Sequence, residues 1–293
     1  MIEKLTPHRF SFTAMASPCA LHLYSSSQEY AKSVADKVIE EIRRFEKKYS
    51  RYQPDSVVTK INESAGKQAI TVDVETAALL NYANVTWAES DGLFDITSGC
   101  LRRIWNFKEK IIPSQEIIEQ TLANIGWEHI QWSGSELYLP IVGMELDFGG
   151  FGKEYAADIA GSLCRKAGIE HGLIDLGGDL VAIGPHPDGS AWKVGIRNPN
   201  QPGQAATIVE LYQGGLATSG DYERGFSLNG RYYSHILNPK TGWPVEGFAS
   251  VTVIADQALI AGTATTVAML KGIEKGKAWL EELKVKHLCI ERR

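Results

Sequence analysis

The chain has 293 residues, 44% of them hydrophobic and 22% charged, which is enough to bury a sizeable core and excludes a disordered or fibrous protein. A formal net charge of −5, from 35 acidic and 30 basic residues, argues against a broad basic footprint for nucleic acid and favours a small-molecule or protein substrate. Cys19, Cys100, Cys164 and Cys289 are widely spaced and form no C-x-x-C pair. They read as buried thiols, not as a zinc knuckle or a disulfide framework.

The opening MIEKLTPHRF carries no apolar h-region, and no run of about eighteen apolar residues follows anywhere. The expectation is a cytoplasmic protein with no membrane insertion, or a periplasmic one had a leader been trimmed. No linker-like stretch interrupts the chain, so one domain over residues 10–290 is expected.

Over residues 28–48, Ala31, Val34, Val38, Ile42 and Phe45 recur at three- and four-residue spacing, an amphipathic helix. Shorter helical patterns cover 55–63, 75–90 and 114–124. Residues 129–132 and 136–139, around Ser133-Gly-Ser, read as strand, turn and strand. Residues 144–148 then give a strand, the next four a glycine turn, and 153–167 a helix. Short β-like runs succeed one another at 173–176, 180–183, 192–197, 207–212, 231–237 and 250–255, and helices at 257–270 and 276–283 close the chain. Helices and strands segregate instead of alternating, which makes the fold class α+β.

Five segments carry possible chemistry. In Asp147-Phe-Gly-Gly-Phe-Gly-Lys-Glu-Tyr, glycines before a helix let backbone N–H groups approach an anion, although a packing turn fits equally. The pattern is neither G-x-G-x-x-G nor a Walker motif. Ile174-Asp-Leu-Gly-Gly-Asp-Leu suggests a close backbone approach or a bulge. Ala217-Thr-Ser-Gly-Asp-Tyr can cap a turn or bind a polar ligand. Gly92-Leu-Phe-Asp-Ile-Thr-Ser-Gly presents Asp95, which can bond a ligand or cap its own turn. Tyr233-Ser-His-Ile-Leu-Asn-Pro-Lys-Thr-Gly places His235 in an apolar strand that runs into a turn, where an imidazole can move protons near neutral pH.

Two further stretches, Met15-Ala-Ser-Pro-Cys and Ser50-Arg-Tyr-Gln-Pro-Asp-Ser-Val-Val-Thr-Lys-Ile-Asn, complete seven ordered matches over residues 12–272. Together they resemble the ApbE family of FAD:protein FMN transferases. The glycine segment resembles its D-x-G-G-x-[AG]-K-x-Y-A-x-D, and Ser50 to Asn62 its S-x-[WY]-x-x-D-S-x-[LV]-x-x-[LIF]-N. The resemblance implies mixed sheets with flanking helices, forming two lobes around a flavin-binding cleft. It implies FAD contacts from Met15, Tyr52, Leu93, Phe94, Asp95, Gly149, Tyr155 and Leu237. It also implies Mg²⁺ held with the help of Gly152 and Thr266, and His235 facing the acceptor hydroxyl. The implied reaction moves FMN from FAD to a Thr or Ser of an acceptor flavoprotein and releases AMP.

One departure bears on the metal. The family pattern A-D-A-x-A-T stands here as Ala261-Gly-Thr-Ala-Thr-Thr, so Gly262 replaces the Mg²⁺-binding Asp while Thr266 keeps the threonine. Mg²⁺ favours hard oxygen ligands, including carboxylates, and Gly262→Asp is accordingly expected to tighten it. Thr263 or Thr265 offers partial compensation. Asn238, in place of a common Asp, loses a charge and keeps an acceptor. Hydrolysis of FAD to FMN and AMP, or flavin binding without catalysis, are the rival readings.

Overall fold

The computed structural model describes residues 4–201, 203–222 and 224–292. Strands β1 (Thr6–Ala14) and β2 (Ser17–Ser25), which the apolar pattern did not suggest, form an antiparallel hairpin. Its two turn residues, Met15 and Ala16, have φ of 49° and 55°, the backbone hand a two-residue hairpin requires. Ser27 then caps α1 (Gln28–Tyr49) by accepting from the Tyr30 N–H, and the five apolar residues picked out by periodicity are all buried. Serine or aspartate side chains likewise start α2 (Val57–Glu63), α3 (Val74–Glu89, after strand β3, Ile70–Thr71) and α5 (Gln115–Leu122, after the single turn α4, Leu101–Ile104). Strands β4 (Gln131–Trp132) and β5 (Glu136–Tyr138) join β3 in a small sheet of order β3-β5-β4.

Residues 144–148, expected as a strand, pair with no sheet among the described residues. The Asn62 side-chain amide takes the place of a ladder partner. It donates to the Leu146 carbonyl at 3.1 Å and accepts from the Leu146 N–H at 2.7 Å. Helix α6 (Gly152–Lys166) follows, then β6 (Gly172–Leu176) and β7 (Asp179–Gly184). The Gly177-Gly178 pair between them is neither bulge nor strand interior. It is a two-residue hairpin turn with φ of 69° and 98°, a conformation that glycine adopts without strain.

Strands β8 (Trp192–Arg197) and β9 (Ala205–Leu211) make a separate hairpin. The hydroxyl-and-glycine run at 217–222, read as a turn, belongs largely to strand β10 (Gly214–Gly220). Its Thr218 hydroxyl sits 2.8 Å from that of Thr252 on the neighbouring strand. Strands β11 (Phe226–Leu228) and β12 (Arg231–Tyr233) pair with each other, and β12 stops before His235, short of the expected end. The chain closes through β13 (Phe248–Ala255), α7 (Ala258–Lys271), α8 (Ile273–Glu282) and β14 (Lys286–Glu291).

The main sheet has seven strands in the order β1-β2-β6-β7-β10-β13-β14, and each neighbouring pair is antiparallel. Side chains alternate across it. Ile174, Leu176, Val181 and Ile183 join the core under α1 and α6, whereas Leu180, Ala182 and Leu216 pack with Ile196 and Leu211 of the β8–β9 hairpin. Both faces of β7 are therefore covered, and its six residues are all buried. Helix α7 lies close on β10 and β13 because its inward residues Ala261, Ala264 and Ala268 are small. Asp158 of α6 fixes where α7 begins, accepting from the Ala258 and Leu259 N–H groups at 3.0 and 2.9 Å. The structure is α+β, as expected. No helix among the described residues is long and apolar enough to cross a membrane.

Candidate functional site

A cleft of about 500 Å³ opens where the 93–99 turn, the 147–154 segment, the β6–β7 hairpin, β8, β10 and the 235–237 stretch meet. Six segments far apart in sequence thus share one wall. Arg102, Lys153, Arg197 and Arg224 bring positive charge to it, and Asp95, Asp147, Glu154, Asp175 and Asp179 negative charge.

Most of those acids have structural duties. Asp95 accepts from the Thr97 N–H and hydroxyl through one oxygen and from the Trp127 N–H at 2.9 Å through the other. It caps its own turn and ties that turn to residue 127. Burial raises its pKa despite these donors. Asp147 accepts from the Gly149 N–H at 2.8 Å and pairs with Arg51 at 3.0 Å. Arg51 also donates to the Gly99 carbonyl at 2.9 Å and pairs with Glu145 at 2.7 Å, so this one guanidinium joins three of the sequence motifs. Asp175 accepts from the Gly178 N–H, which closes the hairpin turn, and Asp179 pairs with Lys153 at 2.8 Å.

Glu154 is different. It stands in the first turn of α6, only 8% exposed, and its Oε2 has no hydrogen-bond partner. Burial, reinforced by the negative charge of Asp179, holds its carboxyl well above the usual carboxylate range. Across the α6–α7 contact it faces Gly262. A Cβ at that position would lie 2.5 Å from Glu154 Cγ and 2.8 Å from Cδ, with Oε1 nearer still. On α7, Thr266 reaches the cleft and lies 3.1 Å from the Ser219 hydroxyl. The Thr263 hydroxyl accepts from Tyr82 at 2.8 Å, and the Thr265 hydroxyl donates to the Gly262 carbonyl at 2.7 Å. Both are committed to the helix and its packing.

His235 lines the cleft just beyond β12, and its Nδ1 is buried without a partner. Burial first, then the positive charges of Arg102 and Arg224, push its pKa down to about 4. The imidazole is consequently neutral at physiological pH and able to accept a proton. Asp221, in the β10 motif, is not free for a ligand: Arg292 pairs with it, donating from Nε at 2.8 Å, and the Arg292 guanidinium stacks on Tyr232. Asn238 shows why an amide suffices at its position, since its Oδ1 accepts from the Lys240 N–H at 2.9 Å in a tight turn that needs an acceptor, not a charge.

Of the residues picked out in sequence, Leu93, Phe94, Asp95, Gly149, His235, Leu237 and Thr266 line this cleft. Met15, Tyr52, Gly152 and Tyr155 are not among its lining residues. Met15 sits in the β1–β2 turn, Tyr52 is 82% exposed, Gly152 is buried at the start of α6, and Tyr155 packs its ring 5.3 Å from that of Phe45. Sequence reasoning missed Arg51, Arg102, Arg224 and Glu154. The available signal for Glu154 was a charged residue directly after the lysine of the glycine segment, at a variable position of the pattern.

An antiparallel sheet backed by helices in this arrangement is shared with solved flavin transferases. The chain superposes on the Pseudomonas stutzeri flavinyl transferase ApbE with a TM-score of 0.90 at 29% identity, over 100% of this chain and 93% of that one. The ApbE protein of Thermotoga maritima gives 0.88 at 29% identity, over 98% and 94%. Residues 15–289 match the family model described as the ApbE family. The FAD:protein FMN transferase of Klebsiella pneumoniae is 31% identical over 281 residues, 94% of this chain and 86% of that relative. Its counterpart in Escherichia coli K12 is 33% identical over 238 residues, 78% and 68% of the two chains. The chain belongs to the ApbE family.

Proposed function

We propose that this protein is an FAD:protein FMN transferase: it moves FMN from FAD onto a Thr or Ser hydroxyl of an acceptor flavoprotein and releases AMP. The observation that carries this reading is the convergence, around one cleft, of His235, the 93–95 stretch, the glycine segment and Thr266, in a chain whose relatives bear that name.

In this reading the acceptor oxygen attacks the FMN phosphorus, the bond from that phosphorus to the bridging oxygen breaks, and AMP leaves with that oxygen. His235, neutral because of its environment, takes the proton of the attacking hydroxyl. Arg102 and Arg224 bring positive charge to the same wall, where phosphoryl transfer needs negative charge spread and neutralised. Leu93, Phe94 and Leu237 supply apolar surface for the flavin, and Asp95 holds the turn that carries the first two in place. In the same reading Met15, Tyr52 and Tyr155 contact FAD once it is bound.

Mg²⁺ fits the site chemically. The buried oxygen of Glu154 lacks a partner, and the Ser219 and Thr266 hydroxyls stand together; the Gly152 carbonyl is the further oxygen that the family resemblance adds. Among the described residues no three His, Cys, Asp or Glu side chains cluster as a metal cage, so phosphate oxygens of FAD would complete the shell. When bound, the ion neutralises the pyrophosphate.

Incubation with FAD, Mg²⁺ and a candidate acceptor domain tests the reading. AMP together with an acceptor heavier by FMN less water supports transfer. AMP with an unmodified acceptor indicates hydrolysis, and neither product indicates binding alone.

A further inference from the structure

Position 262 of α7 and position 154 of α6 compete for one volume. Any side chain at 262 would put its Cβ 2.8 Å or less from the Glu154 carboxyl carbon and oxygen, so glycine is what leaves room for Glu154. We infer that Glu154 is the protein carboxylate that binds the divalent cation, delivered from the first turn of α6 into the space an acidic side chain at 262 would have filled. The inference rests on the metal-dependent reading above.

Three observations support it. Glu154 lines the cleft and its Oε2 is buried and unpartnered, and a carboxylate withdrawn from water needs a cation, a proton or a donor to complete it. Thr266 lies one helical turn beyond Gly262, hence on the same face of α7, and lines the same cleft. The hydroxyls of Thr263 and Thr265, the other groups near position 262, already have partners: Tyr82 for Thr263, and the Gly262 carbonyl and Ser219 hydroxyl for Thr265. Asp158, by holding the first N–H groups of α7 from α6, sets the distance between the two helices at this point. The absence of an acid from α7 is therefore no loss of the site: the carboxylate has changed helix, and positions 154 and 262 have to be read as a pair. The expectation that Gly262→Asp alone tightens Mg²⁺ is reversed, because it sets two carboxyl groups in one space.

Mn²⁺ titration in the presence of FAD, followed by loss of the free-ion EPR signal, tests this independently of turnover. Wild-type protein should bind Mn²⁺, and Glu154→Gln should weaken binding by at least about tenfold, as expected for loss of a charged oxygen ligand. Gly262→Asp alone should weaken it too, whereas the double variant Glu154→Gly with Gly262→Asp should recover most of it. Circular dichroism shows which variants fold. Undiminished Mn²⁺ binding by folded Glu154→Gln, or no recovery in a folded double variant, overturns the assignment and leaves the metal-dependent reading standing. Failure of the wild type to bind Mn²⁺ with FAD overturns both.

Discussion

A neutral imidazole in a wall that carries arginines sets the pH behaviour of the site. The His235 pKa lies near 4 in the folded protein because burial and the charges of Arg102 and Arg224 disfavour its protonation, against about 6.5 in an unfolded chain. The unfolded state therefore binds more protons between those values, and the stability His235 contributes is present above pH 6.5 and lost as pH falls toward 4. Transfer should show no His235 limb near pH 6.5, the His235 limb appearing only as pH approaches 4; a rate-against-pH profile checks this. His235→Ala should abolish transfer while FAD titration stays within about threefold of wild type, as expected for a group that acts on the proton and not on flavin binding. Arg51→Ala takes one of two cationic partners from Glu145, which keeps Arg103, and the ion-pair partner from Asp147, which keeps the Gly149 N–H, and should cost about 2 kcal/mol in denaturant unfolding. At this scale the sequence exposed single residues better than pairs. His235 stood out through its immediate neighbours and Asn238 as a departure from the family pattern. Glu154 and Gly262 explain each other only across a helix contact, and Arg51 only through partners brought in from two distant segments.

Among the elements, α6 and α7 meet where Glu154, Gly262 and Thr266 stand. Asp158→Ala removes the cap of α7 and should lower stability by about 1 kcal/mol. It should also loosen Mn²⁺, which a structural effect confined to the helix end would not do. The two turn glycines should differ. A Cβ at Gly177 meets Ser17 at 2.7 Å, whereas one at Gly178 meets nothing within 4 Å, so Gly177→Ala should lower the melting temperature more than Gly178→Ala, both being strained at positive φ. Long amphipathic helices were legible because their period is strong: α1 ends one residue from its expected limit. Strand β10 was not, since Gly, Ala, Thr and Ser give no apolar alternation and it becomes a strand only through its neighbours β7 and β13. Residues 144–148 failed in the opposite sense, with a strand-like sequence but Asn62 as partner.

For the whole molecule, the fold gathers motifs dispersed along the chain around one cleft, at the edge of the helices that cover the main sheet. Family membership was legible because seven short patterns kept their order. The wall that five of them build was not, because the arginines that give it charge lie outside those patterns. In the proposed reaction FMN leaves FAD for a protein hydroxyl and not for water. Quantifying AMP and the intact mass of an acceptor domain in the same time course, with FAD and Mg²⁺ present, tests it most directly. One AMP is expected for each acceptor that gains FMN less water, with both products lost in His235→Ala. AMP accumulating over an acceptor of unchanged mass would contradict it.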